Sequence, residues 1–237
     1  MTKDNMKNLL IETPLLDYRS PNIQTLITQK DWQKLPLYER IGAVYHFVKD
    51  EIRFGYNKQD ALPASQILND GHGQCNTKGI LLMALFRAVG IPCRLHGFTI
   101  KKSLQRGVVP ELIYPITPDN IVHSWVEIFY EGKWINLEGF ILDVDFLAAL
   151  QEKFKDTKSL CAYGAGTETL DRPDVNWRGA DTYIQKTGIN NDHGIFNNPD
   201  DFFAVHEQSL SPIKTALYKF VIRHWMNARV KKLRGAV

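Results

Sequence analysis

Gly71-His72-Gly73-Gln74-Cys75, running on through Asn-Thr-Lys-Gly-Ile-Leu-Leu-Met-Ala-Leu-Phe-Arg-Ala to Val89, decides how the rest of this chain is read. From Ile80 onward the run is apolar on nearly every face, and it stops at Gly90-Ile91-Pro92, a glycine C-cap followed by a proline. This predicts a helix buried in the core, with Cys75 in its first turn. Unpaired backbone N–H groups and the positive end of the helix dipole favour thiolate there, below the free thiol value of ~8.5. The same N–H groups are suited to holding an oxyanion. Gly71 and Gly73 let the chain turn sharply and leave the sulfur accessible.

His123 follows 48 positions later in Ile121-Val-His-Ser-Trp-Val-Glu-Ile-Phe-Tyr130, a segment rich in β-branched and aromatic residues. Glu131-Gly132 reads as a two-residue turn, so Tyr130 faces Lys133, Phe129 faces Trp134 and Glu127 faces Asn136. Glu138 then becomes the diagonal neighbour of His123 on one face, within side-chain reach. A loop one residue longer would turn Glu138 to the opposite face. A thiol at a helix start, an imidazole and a carboxylate on adjacent strands form the layout of a nucleophile, its base and an orienting group.

Gly-Gln-Cys at the head of a Leu/Ala-rich helix ending in Arg87-Ala-Val-Gly-Ile-Pro-Cys-Arg94, then His123-Ser-Trp-Val-Glu127, then Trp134-Ile-Asn-Leu-Glu138, resembles the transglutaminase-like superfamily of papain-type thiol enzymes. The resemblance spans about Tyr38 to Asp143. It implies Cys75 as nucleophile, His123 as base and Glu138 where the family usually carries aspartate. Asp143 is the fallback orienter, although the pairing scheme puts it beyond the strand. Gln74, Asn76 and Trp125 are the candidate oxyanion or site-lining residues. Asn76 replaces the aromatic residue that follows the nucleophile in crosslinking members, which argues against protein crosslinking.

The implied fold is α+β, a papain-like, transglutaminase-like core with the nucleophile helix packed on an antiparallel β-sheet and a C-terminal helical extension. Residues 1–154 form the expected catalytic core and 155–237 the extension. The implied reaction is acyl transfer through a thioester on the amide bond of a peptide or protein, as a peptidase or amidohydrolase. The alternatives are a catalytically silent peptide- or protein-binding module and an amine-accepting transglutaminase.

No metal or other cofactor is expected. His72, His96 and Cys93 lie near Cys75 in sequence or on the next strand, but no Cys-x-x-Cys or His-x-x-x-His pair supplies zinc-ligand spacing. Asp143-Val-Asp145 and Asp192-His193 lack the regular oxygen spacing of a calcium loop.

With 237 residues, 44% of them hydrophobic, the chain can bury one sizeable core. No run reaches the roughly 20 apolar residues of a membrane span, and residues 1–10 carry no signal-peptide core. Three cysteines make no disulfide framework, and a cytoplasmic location suits them.

Helical periodicity is expected over Leu37–Ile52, and a short helix over Ala64–Asn69. Pro92 to Ile100 begins the sheet. The long connection 101–120 is a candidate wall of a substrate groove. Asp143 reads as an N-cap for a helix to Phe154, and 155–201 reads as loop-like, folding back over part of the cleft.

From Gln208 to Val237 the chain carries seven of its 29 basic residues and no acidic ones, which leaves 22 basic against 26 acidic elsewhere. Ile213, Leu217, Phe220, Val221, Trp225 and Val230 fall near one face of a continuous helix. The expectation is a basic amphipathic helix docked by that face, with weak contact to an anionic surface as its alternative role and no nucleic acid as partner.

Overall fold

The computed structural model describes residues 3–208 and 211–235. Helices α1 (Lys3–Asn8) and α2 (Pro21–Lys30) precede α3 (Leu37–His46), which continues through a π-turn at Phe47–Glu51. Strand β1 (Arg53–Phe54), helix α4 (Ala64–Asp70) and strand β2 (His72–Gly73) lead into helix α5 (Cys75–Ala88). Strands β3 (Cys93–Lys101), β4 (Asn120–Tyr130) and β5 (Lys133–Leu137) come next, then helix α6 (Val144–Lys153). The short strands β6 (Leu160–Ala162) and β7 (Ala165–Thr167) form their own hairpin. Strand β8 (Ile189–Phe196) and helices α7 (Pro199–Val205), α8 (Pro212–Leu217) and α9 (Arg223–Arg234) complete the chain, with a π-turn at Tyr218–Ile222 joining the last two.

The fold is α+β. Its main sheet has the order β5-β4-β3-β8, and every pair is antiparallel. The turn at Glu131-Gly132 is the two-residue one, with both residues at positive φ, 48° and 80°. That mirror-image turn matches the twist of the strands it joins, and it gives the expected register of Phe129 with Trp134 and Glu127 with Asn136. Asp143 caps α6 by accepting the Phe146 N–H at 3.0 Å, and its second oxygen accepts from Arg234 at 2.5 Å. It is thus a cap and an anchor for the C-terminal helix, and not a partner of His123.

Helix α5 is buried from Cys75 to Arg87. One turn beyond the cysteine, Lys78 is fully buried, and its ammonium donates to the carbonyls of Lys49 and Ile141, both at 3.0 Å. The π-turn that ends α3 brings the first of these carbonyls to it.

Two expectations are corrected. The segment 155–201 is not loop throughout, because β8 is the fourth strand of the main sheet. Its sequence, Ile-Asn-Asn-Asp-His-Gly-Ile-Phe, is mostly polar and half-exposed, and two bulges interrupt its pairing with β3. An edge strand with one neighbour and no apolar alternation carries no period-two signal.

The second correction concerns the C-terminal helix. Of the six apolar residues expected to dock it, only Val230 is buried; Ile213 is 81% exposed and Phe220 76%. At 3.6 residues per turn the segment carries a second apolar stripe opposite the expected one, and this second stripe packs on the core. The docked face is instead Tyr218, Ile222, Met226, Val230 and Leu233.

Burial pushes the Lys78 ammonium down from 10.5 to about 7. Between those two values the unfolded chain binds the proton and the folded chain does not, so this group makes stability rise with pH from about 7 to 10.5. Substituting Lys78→Met is expected to remove that rise, read as a flatter profile of urea midpoint against pH than in the wild type.

Candidate active site

The first turn of α5 is held by side chains of the loop before it. The Thr77 hydroxyl accepts the Gln74 N–H at 3.0 Å and donates to Asn57 Oδ1 at 2.7 Å. The Gln74 amide oxygen accepts the Asn57 N–H at 3.1 Å, and its nitrogen donates to Asp60 at 2.8 Å. A Cβ on Gly73 would lie 2.6 Å from the Thr77 hydroxyl, so this close approach requires glycine. Gly71 at φ 63° ends α4 in the left-handed region. Burial pushes the Asp60 carboxyl up, against the hydrogen bond from Gln74.

Strand β5 ends at Leu137, opposite Val126, so the first half of β4 has an open edge on that side. Helix α5 reaches this edge. Asn76 Nδ2 donates to the Val122 carbonyl at 3.0 Å, and Asn76 Oδ1 accepts from the Ser124 hydroxyl at 3.0 Å. The Val122 N–H donates to Gln208 Oε1 at 3.0 Å. These bonds replace the missing strand and set the head of α5 against the strand that carries His123.

His123 and Glu138 are both fully buried, with His123 Nε2 at 2.9 Å from Glu138 Oε1. The other carboxylate oxygen accepts the backbone N–H groups of Ile184 and Gln185, each at 2.9 Å. Thr182 fixes that segment by accepting the Glu138 N–H on its carbonyl at 2.9 Å and donating its own N–H to Asn136. The bond to Glu138 occupies Nε2, which leaves Nδ1 as the imidazole nitrogen for Cys75. Burial by itself would strip the imidazole of its proton. The Cys75 sulfur first, then Glu138, overcome it and raise His123 to about 10. At neutral pH the pair is therefore an imidazolium facing the sulfur.

Cys75 opens onto a cavity of about 500 Å³, with Gln74 and Asn76 beside it. Leu104, Val109 and Ile113 of the connection 101–120 form one wall, and Leu217, Tyr218, Ile222 and Met226 of the C-terminal helices form the roof. Gly164 and Gln185 of the segment after α6 also line it.

The structure thus gathers Cys75, His123, Glu138, Gln74 and Asn76. Trp125 does not line the cavity. It points from the same strand face as His123 into a cluster with His96, Phe98 and Tyr183, at ring separations of 5.2, 4.2 and 5.6 Å. His96 lies between Glu127 at 2.8 Å and Asp192 at 2.9 Å. Among the described residues, no three His, Cys, Asp or Glu side chains gather as a metal-ligand set. Asp60 and the two backbone N–H groups of Ile184 and Gln185 escaped sequence reading. The former sits in an irregular loop, and the latter depend on backbone position alone.

A family model described as the transglutaminase-like superfamily core matches residues 24–139. No curated protein matches the chain. Among solved structures, that of a candidate cysteine protease from Cytophaga hutchinsonii is similar with a TM-score of 0.51 at 13% identity, covering 85% of this chain and 50% of that one. At that identity the likeness is one of fold, and the chain spans about half the length of that protein.

An ordinary thiol is about 1 in 300 thiolate at pH 6. A sulfur facing a protonated imidazole predicts faster iodoacetamide alkylation of Cys75 at that pH than an ordinary thiol shows, slowed on the order of 10–100-fold in His123→Ala. Glu138→Gln is expected to move the pH profile of alkylation upward, and Glu138→Asp to restore part of the shift. Site-resolved mass spectrometry reads all three.

Proposed function

We propose that this member of the transglutaminase-like superfamily, matched over residues 24–139, is a cysteine peptidase or amidohydrolase working through a thioester. The observation that carries the reading is the buried His123–Glu138 pair at 2.9 Å, whose free imidazole nitrogen serves Cys75 at the wall of a cavity.

In this reading the proton of the Cys75 thiol rests on His123 Nδ1, and the sulfur attacks the amide carbonyl carbon. The developing oxyanion is met by backbone N–H groups at the head of α5 and by the second hydrogen of Gln74 Nε2, whose first is given to Asp60. The C–N bond breaks as His123 passes its proton to the leaving amine, and the acyl group stays on sulfur. Water then gives its proton to His123, and its oxygen attacks the thioester. Collapse releases the carboxylic acid and restores the thiolate–imidazolium pair. Glu138 positions the imidazole. It acts through His123 without touching the reacting atoms.

The apolar wall and roof, Leu104, Val109, Ile113, Ile222 and Met226 among them, favour a second acceptor. A primary amine entering such a lining would compete with water for the same thioester.

Incubation with a library of peptide amides, followed by intact-mass analysis, tests the reading. The expected result is an acyl adduct on Cys75 and a carboxylate product, both absent in Cys75→Ala and reduced about 10²–10⁴-fold in His123→Ala. Added primary amine is expected to divert part of the product to the amide. A wild-type protein that retains peptides without any adduct or product would leave the silent binding module as the better account.

A further inference from the structure

We propose that the outer face of the C-terminal helices, together with the tip of the connection 101–120, is a docking surface for an anionic lipid bilayer that presents the mouth of the Cys75 cavity to the membrane.

This helical segment carries two apolar faces where a docked amphipathic helix needs one. The inner face, Tyr218, Ile222, Met226, Val230 and Leu233, packs on the core. The outer face remains open to solvent, with Ile213 81%, Phe220 76%, Val221 50%, Trp225 49% and Leu217 40% exposed. Large apolar side chains contiguous at a surface mark a contact to be made.

The charge pattern selects the contact. No acidic residue lies between Gln208 and Val237. Three of the seven basic residues are tied to other parts of the protein: Arg229 donates to the carbonyls of Gly107 and Val109, Lys214 donates to that of Ile116, and Arg234 pairs with Asp143. Lys214, Lys219, Arg223, Lys231 and Lys232 are exposed or half-exposed, and none of them pairs with a carboxylate among the described residues. An apolar stripe bounded by unpaired cations is complementary to an anionic interface, with rings sinking between headgroups while lysine stems reach the phosphates.

A second element carries the same signature. Leu112 and Ile116 in the connection 101–120 are 89% and 56% exposed, and Ile116 lines the Cys75 cavity. Lys214 Nζ lies 3.4 Å from the Ile116 carbonyl, which joins this loop to the start of α8. Leu217 and Lys214 line the cavity from the other side. Exposed apolar residues therefore stand on both rims of the cavity, and a flat surface touching both would lie across its mouth. Among the described residues no helix is long and apolar enough to cross a membrane; the contact proposed is interfacial.

Cosedimentation of the full chain with vesicles of phosphatidylcholine containing about 30% phosphatidylserine tests this, against phosphatidylcholine alone. Binding is expected to be stronger by about tenfold or more on the anionic vesicles, to weaken at high salt, and to fall about tenfold in the double variant Phe220→Ser, Trp225→Ser and in Lys231→Glu, Lys232→Glu. The rate of Cys75 alkylation in both variants is expected to equal the wild-type rate, since none of these residues touches the site. Equal or absent binding to the two vesicle types overturns the proposal. A wild type that sediments as a dimer without vesicles, with the Phe220→Ser, Trp225→Ser variant a monomer, also overturns it and assigns the face to a second copy of the chain.

Discussion

The structure depends on burying a carboxylate against an imidazole where no water reaches. His123 and Glu138 are both fully buried, and taking such groups out of water costs several kcal/mol each unless their remaining polar atoms are satisfied. Here every polar atom except His123 Nδ1 has a hydrogen-bond partner. One Glu138 oxygen faces Nε2, the other takes the N–H groups of Ile184 and Gln185, and the remaining imidazole nitrogen serves Cys75. This explains how glutamate serves in the position. Its extra methylene carries the carboxylate past the end of β5 to a place where the returning chain meets it, and Thr182 holds that chain against Asn136 and Glu138.

The segment after α6 is for this reason part of the site and not an appendage. The β6–β7 hairpin abuts it, since the Gly166 N–H donates to the Ile184 carbonyl at 2.7 Å, and β8 then carries the chain onto the free edge of β3. At Gly97 in β3, an added Cβ would stand 2.3 Å from the Phe202 ring of α7, so the helix that follows β8 seats directly on strand backbone. Strand β8, helix α7 and the C-terminal helices wrap the sheet in sequence, and the last of them roofs the cavity that Cys75 opens onto.

Two π-turns adjust what the regular helices cannot. The one at Phe47–Glu51 turns the Lys49 carbonyl toward the buried ammonium of Lys78, one turn beyond Cys75 on α5. The one at Tyr218–Ile222 joins α8 to α9 in a segment whose Met226 and Val230 reach the core while Phe220 and Trp225 face outward. An inserted residue of this kind marks functional positions in many helices.

By itself the sequence determined what local rules govern. The boundaries of α5, the two-residue turn at Glu131-Gly132, the register of β4 on β5, the Asp143 cap and the diagonal meeting of His123 with Glu138 all follow from glycines, caps and period-two spacing. These signals act over a few residues and leave a pattern in the chain. Tertiary structure alone decided the rest. The N–H groups of Ile184 and Gln185 act through backbone position, which any side chain permits. Strand β8 is polar at a sheet edge, so its pairing depends on β3 being free beside it. The C-terminal helix has two apolar stripes at the 3.6-residue repeat, and only packing on the core chose between them.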